Sequence, residues 1–146
     1  MKKRGFTILE LLIVIAVIAI LVGIALPRFR GMREEGLITQ AKGELRTLQT
    51  AVESYYIHNG SYPTTFPGDL ESAIPNIIGT TAPTDPFTAS SDYGYATSDN
   101  DNYYVIYLVG QGGNGSAAIS DAGVVTETNG TSCIYVSNGT LRDTTP

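Results

Sequence analysis

Cysteine occurs once, as Cys133, and histidine once, as His58. A single thiol closes no disulfide within the chain and assembles no cysteine-based metal cage. A catalytic Cys and His pair would need these two residues to meet, and neither carries a local motif for it. An ordinary packed thiol and a surface imidazole are expected instead. Basic charge is scarce as well. The formal charge is −5, and three of the nine basic residues, Lys2, Lys3 and Arg4, stand within the first five positions. Without that stub, six basic residues face fourteen acidic ones, a net of −8. So acidic a chain has no general pull on nucleic acid, whose binding proteins neutralise phosphates with clustered Lys and Arg, and no nucleic-acid partner is expected. Arg28, Arg30 and Arg33 form the remaining basic cluster, but Glu34 and Glu35 follow at once. That pattern is a solvated or headgroup-level collar on a helix.

Charge of either sign is absent from Leu11 to Leu26, whereas nearly everything after Pro27 is polar, small or aromatic. With 146 residues, the chain has room for one domain of ordinary size behind that apolar stretch. The run from Phe6 to Leu26 covers 21 residues, enough at about 1.5 Å per residue to cross a hydrocarbon core of roughly 30 Å. A secretory signal would have a shorter apolar stretch followed by a small-residue cleavage site, and that order fails here. The run therefore reads as a spanning helix in contact with membrane lipid. One carboxylate, Glu10, sits inside it. At membrane depth an unpartnered acid costs on the order of 2.5 to 3.5 kcal/mol on insertion scales. Either Glu10 lies near enough to the headgroups to stay hydrated, or a positive charge from another copy of the helix neutralises it.

The segment Lys3-Arg4-Gly5-Phe6-Thr7-Ile8-Leu9-Glu10-Leu11-Leu12-Ile13-Val14, with Pro27 at the far end of the run, resembles the type IV pilins and the pseudopilins of type II secretion. The signal is specific because it combines a basic leader, Gly before Phe, Glu four residues after that Phe, and a sustained apolar helix. The family commonly has Leu then Ile after Thr; here Ile8 and Leu9 are swapped, which conserves volume. The resemblance implies residues 1–5 as a leader that a prepilin peptidase cuts between Gly5 and Phe6, with the new Phe6 amine then methylated. It implies that Glu10 pairs with the terminal amine of a neighbouring subunit during assembly. That pairing is physically sensible, since an amine and a carboxylate meeting in low dielectric satisfy each other, while either alone would be an unpaired buried charge. It also implies a homo-oligomeric filament that includes other pilin-like subunits and grows on an inner-membrane assembly platform. The chain would pass the bacterial inner membrane once, N-terminus in the cytoplasm, with the filament in the periplasm or at the cell surface. The basic leader favours this orientation, although Arg28, Arg30 and Arg33 oppose it.

Residues 6–27 are expected as the membrane and assembly helix, and 28–146 as the exported domain. Pro27 has no amide to donate to Gly23, so the helix is expected to kink or loosen at Gly23 and Pro27. Leu37, Ala41, Leu45, Leu48, Val52 and Tyr55 recur at steps of three and four, while Lys42, Arg46, Gln49 and Glu53 take other faces. This predicts an amphipathic helix over 28–58 whose stripe faces its own domain's core. Asn59-Gly60 and Pro63 terminate it. Residues 61–87, rich in Pro, Thr and Gly, are expected as a loop with a helical turn near Asp69 to Ile74. Strands are expected at Tyr93 to Thr97 and Tyr103 to Val109, across a turn at 98–102, and at Val124 to Thr128 and Thr131 to Val136, as a hairpin across Asn129-Gly130. The fold class is α+β, a long N-terminal helix packed against a three- or four-stranded antiparallel sheet within 93–136.

Leu45 to Tyr56, Asn59 to Thr65, Pro83-Thr84-Asp85-Pro86-Phe87 and the Tyr-rich strand ending at Gly110 look like the G-type major pseudopilin of type II secretion. The likeness runs from Lys3 to about Gly115, and the tail departs from it. A type IV pilus subunit used in adhesion, motility or DNA uptake stays open as the alternative, although the C-terminal disulfide loop of many pilins needs a second cysteine. The resembled pseudopilins hold calcium in the loop after the Tyr-rich strand. Here Asn114 and Asp121 are the residues such a site would use. Calcium takes six to eight oxygens, several of them charged, and with one carboxylate present the expectation is a chain without a resident cofactor. The four Asn-Gly-Ser or Asn-Gly-Thr triplets, at Asn59, Asn114, Asn129 and Asn138, read as turns rather than glycosylation sites. Gly110 to Gly115 lacks the Lys of a phosphate loop. A signal-anchored periplasmic enzyme is the weakest reading, because no nucleophile, base and orienting group come together, so no catalytic residues are assigned.

Overall fold

Helix α1 is continuous over Ile8–Asn59. The computed structural model describes residues 6–75, 77–79, 81–88, 91–110, 115–128, 134–139 and 141–142, apart from the side chains at 27–30, 128, 141 and 142. The chain divides into two compact units, Met1–Ile38 and Thr39–Pro146.

In the first unit, the large apolar side chains from Phe6 to Leu26 are 48% to 82% exposed. The segment is long and apolar enough to cross a membrane. Helical assignment continues through Gly23 and Pro27.

In the second unit the predicted stripe is the core. Ala41, Leu45, Leu48 and Val52 are fully buried, Ala51 nearly so, and Tyr55 packs against them. Burying a Leu or Val side chain contributes about 1.5 to 3 kcal/mol, so this face anchors the helix to the rest of the unit. The helix stops where Gly60 turns left-handed (φ 75°) and its amide donates to Tyr56 O at 2.8 Å, a conformation glycine adopts without a Cβ penalty. His58 is exposed, its Nδ1 2.8 Å from Ser54 O. A four-residue helix, α2 (Gly68–Glu71), follows within the loop. Asp69 anchors it, accepting the amides of Thr64 and Thr65 at 2.9 and 2.8 Å.

Six strands complete the unit: β1 (Gly94–Thr97), β2 (Tyr104–Tyr107), β3 (Ser116–Ile119), β4 (Val124–Thr128), β5 (Tyr135–Ser137) and β6 (Leu141–Arg142). They form two sheets rather than the single sheet expected, ordered β1-β2-β5 and β3-β4-β6. Every pair is antiparallel except the parallel β4 and β6. The α+β class holds. The hairpin across Asn129-Gly130 does not form, because β4 pairs with β3 while β5 crosses to β2, with Ile106 opposite Val136. Residues 129 and 130 lie outside the described ones, as does Cys133. What outweighs the local turn signal is burial, since Ile134 and Val136 pack against the cluster formed with α1.

Strand β2 explains the layering. Tyr104 and Ile106 enter the cluster shared with α1, whereas Val105 enters a second cluster with Ala117, Ile119 and Val125 of the other sheet. Alternate side chains point to opposite faces, so the first sheet lies between the helix and the second sheet. Gly94, opposite Tyr107, lets the Tyr107 ring lie over the strand where a Cβ would collide with it.

Most of the polar groups caught in these layers are paired, although among the described residues the buried Tyr95 hydroxyl makes no hydrogen bond. Tyr93 OH donates to Glu44 at 2.6 Å and Tyr104 OH to Glu53 at 2.7 Å. Asp85, fully buried, accepts the amides of Phe87 at 2.8 Å and Gly110 at 3.0 Å, tying the 83–87 loop to the end of β2. Asn138 accepts the Tyr104 amide at 2.8 Å and donates to Tyr62 OH and Asn102 O.

Burial first, and then the hydrogen bonds to Glu44 and Glu53, push the Tyr93 and Tyr104 hydroxyls well above the ordinary phenol pKa. A raised folded-state pKa contributes stability that is fully present below the unfolded value, near 10, and is lost as pH rises from there through the folded value. The melting temperature of the detergent-solubilised chain, followed by tyrosine circular dichroism, is expected to fall above about pH 10. It should fall less steeply in the Tyr93→Phe, Tyr104→Phe double variant. Asp85→Ala leaves two partly buried amides without their acceptor and is expected to cost about 2 kcal/mol by urea unfolding, with Asp85→Asn costing less.

Candidate functional site

Thr7 is the last residue before α1, which makes Glu10 the third residue of the helix. The Thr7 amide and hydroxyl both donate to Glu10 Oε2, at 2.9 and 3.0 Å, and the Glu10 amide donates back to Thr7 Oγ1 at 3.2 Å. This is a capping box, in which the N-cap residue and the third helical residue satisfy each other's otherwise unpaired amides. The first helical bond, from the Leu11 amide to Thr7 O, is 3.3 Å. A carboxylate at this end also opposes the positive pole of the helix dipole. Sequence reasoning weighed Glu10 and passed over Thr7, although the Thr-x-x-Glu spacing was the signal for the box.

Chemically, one oxygen of Glu10 is held by its own chain, and among the described residues Oε1 makes no hydrogen bond. The acid is exposed and is flanked by Leu9, Leu11 and Leu12, which are exposed too. A single fixed anion on an otherwise apolar, uncharged helical surface is suited to receive one cationic donor from outside the chain. Phe6, whose amine the expected cleavage would free, is exposed one residue before the box. Gly5 lies outside the described residues, as does the side chain of Pro27. Gly23 is helical, with open space where a Cβ would stand.

The calcium candidates are placed differently. Asn114 lies outside the described residues. Asp121 is exposed in the turn between β3 and β4, and its Oδ1 accepts the Asn100 amide at 2.9 Å, bracing the 98–102 turn. Among the described residues, no group of three or more His, Cys, Asp or Glu is placed to hold a metal ion.

Two family models match the chain. A prokaryotic N-terminal methylation motif covers residues 1–26, the segment containing Glu10 and the capping box, and the type II secretion system protein G model covers residues 28–127. The second match runs past Gly115, through β3 and into β4. Among curated proteins, the type II secretion system core protein G of Escherichia coli K12 is 37% identical over 73 residues, half the length of each chain. Core protein G of Pseudomonas aeruginosa is 24% identical over 136 residues, covering 84% of this chain and 94% of that one. The type IV major pilin protein PilE1 of Neisseria gonorrhoeae is 32% identical over 77 residues, 53% of this chain and 36% of the pilin. No solved structure matches. With one model on the N-terminal apolar segment and the other running from the α1 stripe through the Asp85 loop and the first three strands into β4, the chain belongs to the type II secretion system protein G family, whose members are structural pseudopilin subunits.

Proposed function

We propose that the chain is a major pseudopilin, a subunit that many copies build into a short periplasmic filament driving type II protein secretion. The observation that carries this reading is the exposed apolar surface from Phe6 to Leu26, whose one charge is Glu10. Lipid covers such a surface before assembly, and sister helices cover it afterwards.

The steps follow from the residues. The leader Lys2-Lys3-Arg4 holds the N-terminus on the cytoplasmic side of the inner membrane, and a prepilin peptidase cuts between Gly5 and Phe6. The Phe6 amine, then methylated, remains a cation. When a subunit leaves the bilayer for the filament, that cation meets the open oxygen of Glu10 on a neighbour. Either charge left alone among apolar helices would be strongly unfavourable, so the pair sets the depth at which one helix docks beside the next. Gly23 and Pro27 supply the place where the helix adjusts on entering the filament, and an inner-membrane platform and other pilin-like subunits complete the assembly. The reading assigns no catalytic step and no resident cofactor to the chain. A surface type IV pilus is the second reading, favoured by the likeness to pilins over about half of this chain; the protein G match across residues 28–127 favours the first.

In cells carrying the cognate machinery, Glu10→Leu is expected to insert normally and to lower filament yield roughly 100-fold, as loss of one partner of a buried charge pair implies. Wild-type yield from that variant would remove the role given to the acid. Thr7→Val breaks the capping box, at a cost of about 1 kcal/mol to the first helical turn. It should speed amide exchange at Leu9 and Glu10, while Thr7→Ser should leave exchange unchanged.

A further inference from the structure

The unit Thr39–Pro146 carries eleven acidic residues and three basic ones, Lys42, Arg46 and Arg142. Lys42 and Arg46 stand one turn apart on α1, both exposed, and among the described residues neither side chain makes a hydrogen bond or an ion pair within the chain. Residues four apart on a helix share a face. In so acidic a unit, two neighbouring cations left without any of the surrounding carboxylates form an unpartnered charged face.

Most of the acids are already engaged. Glu44, Glu53, Asp69, Glu71, Asp85 and Asp121 each accept a hydrogen bond from their own chain. Among the described residues, Asp99 and Asp101, exposed in the turn between β1 and β2, accept none with their side chains, and Asp121 is drawn beside them through the Asn100 amide. These carboxylates stand at the opposite end of the unit from the cations. The Tyr93 hydroxyl meets Glu44 and the Tyr104 hydroxyl meets Glu53, while Thr97 pairs with Tyr104. From Glu44 to Glu53 the helix rises about 13 Å, and from Tyr93 to Thr97 the strand advances about 13 Å. So β1 runs alongside α1 in the same direction. The turn at 98–102 therefore lies beyond the Glu53 level, near Tyr62, to which Asn138 links it. Lys42 and Arg46 flank Glu44 at the other end.

We propose that the Lys42 and Arg46 face of one copy docks on the Asp99, Asp101 and Asp121 turn of a second copy in the filament. Copies that all point the same way meet through heterologous contacts, in which one end of a subunit touches the other end of the next. Opposite charge at the two ends makes that contact complementary and makes the like-ended contact repulsive. It selects direction and register, while the apolar helices supply most of the cohesion. The inference rests on the filament reading and adds a contact to it.

The test uses the full chain in cells carrying its assembly machinery, with subunit level and protease resistance measured to show folding. Lys42→Glu with Arg46→Glu is expected to lower filament yield about tenfold or more, because like charges facing each other are strongly unfavourable. Asp99→Lys with Asp101→Lys should do the same, and combining the four changes should restore most of the yield. In a Cys133→Ser background, Arg46→Cys with Asp101→Cys should give a covalent ladder of filament subunits with a short bismaleimide. Wild-type yield from both reversed pairs together with no ladder overturns the contact; if the wild type forms filaments and Glu10→Leu does not, the filament reading stands without it. Absence of filaments from the wild type overturns both.

Discussion

A helix that shows apolar side chains on every side up to Leu26 and on one stripe from Ala41 onward has two different surfaces to remove from water. Its stripe is covered within the chain, by Tyr104, Ile106, Leu108 and the loop residues around Leu70. Its apolar first half is left uncovered by the chain's own residues. A surface of about twenty predominantly apolar residues is stable only in lipid or against other apolar helices. That requirement, more than any single side chain, calls for a covering surface that the chain itself does not supply.

The folded unit answers a second constraint. Sandwiching the first sheet between α1 and the second sheet places polar atoms of β1 and β2 in a dry layer, where unpaired groups are costly. The pairs between tyrosines and helix carboxylates, the two amides held by Asp85 and the three bonds of Asn138 remove most of that cost. They also fix the height of each strand against the helix, which puts the 98–102 turn at one end of the unit and the Lys42 face at the other. The same bonds that satisfy the core thereby decide where surface charge appears.

Glu10 belongs to both stories. In the single chain it closes the helix with Thr7, a local role that any Thr-x-x-Glu start supplies. Its unused oxygen and apolar flanks are what make it suited to a partner's amine as well. Capping keeps the carboxylate fixed at the helix end, which suits it to the amine pairing proposed above.

Much of this was legible in the residues alone, because periodicity and charge are local properties. The long apolar helix, the lone acid, the stripe from Ala41 to Tyr55, the Gly60 terminator and the strands around 94–97, 104–107 and 124–128 follow from hydrophobic spacing and turn chemistry. Strand pairing followed only in part: β1 and β2 pair across the expected 98–102 turn, and the later strands pair otherwise than expected. Asn129-Gly130 signalled a hairpin, but burial of Ile134 and Val136 against α1 sends that strand to β2. Ser116 to Ile119, poor in β-branched residues, gave no strand signal until β4 paired with it. The double burial of β2, the latch at Asp85 and the ends to which charges are carried depend on contacts between residues far apart in the chain. Local sequence sets which surfaces must be hidden, and only the tertiary structure decides which distant surfaces hide them.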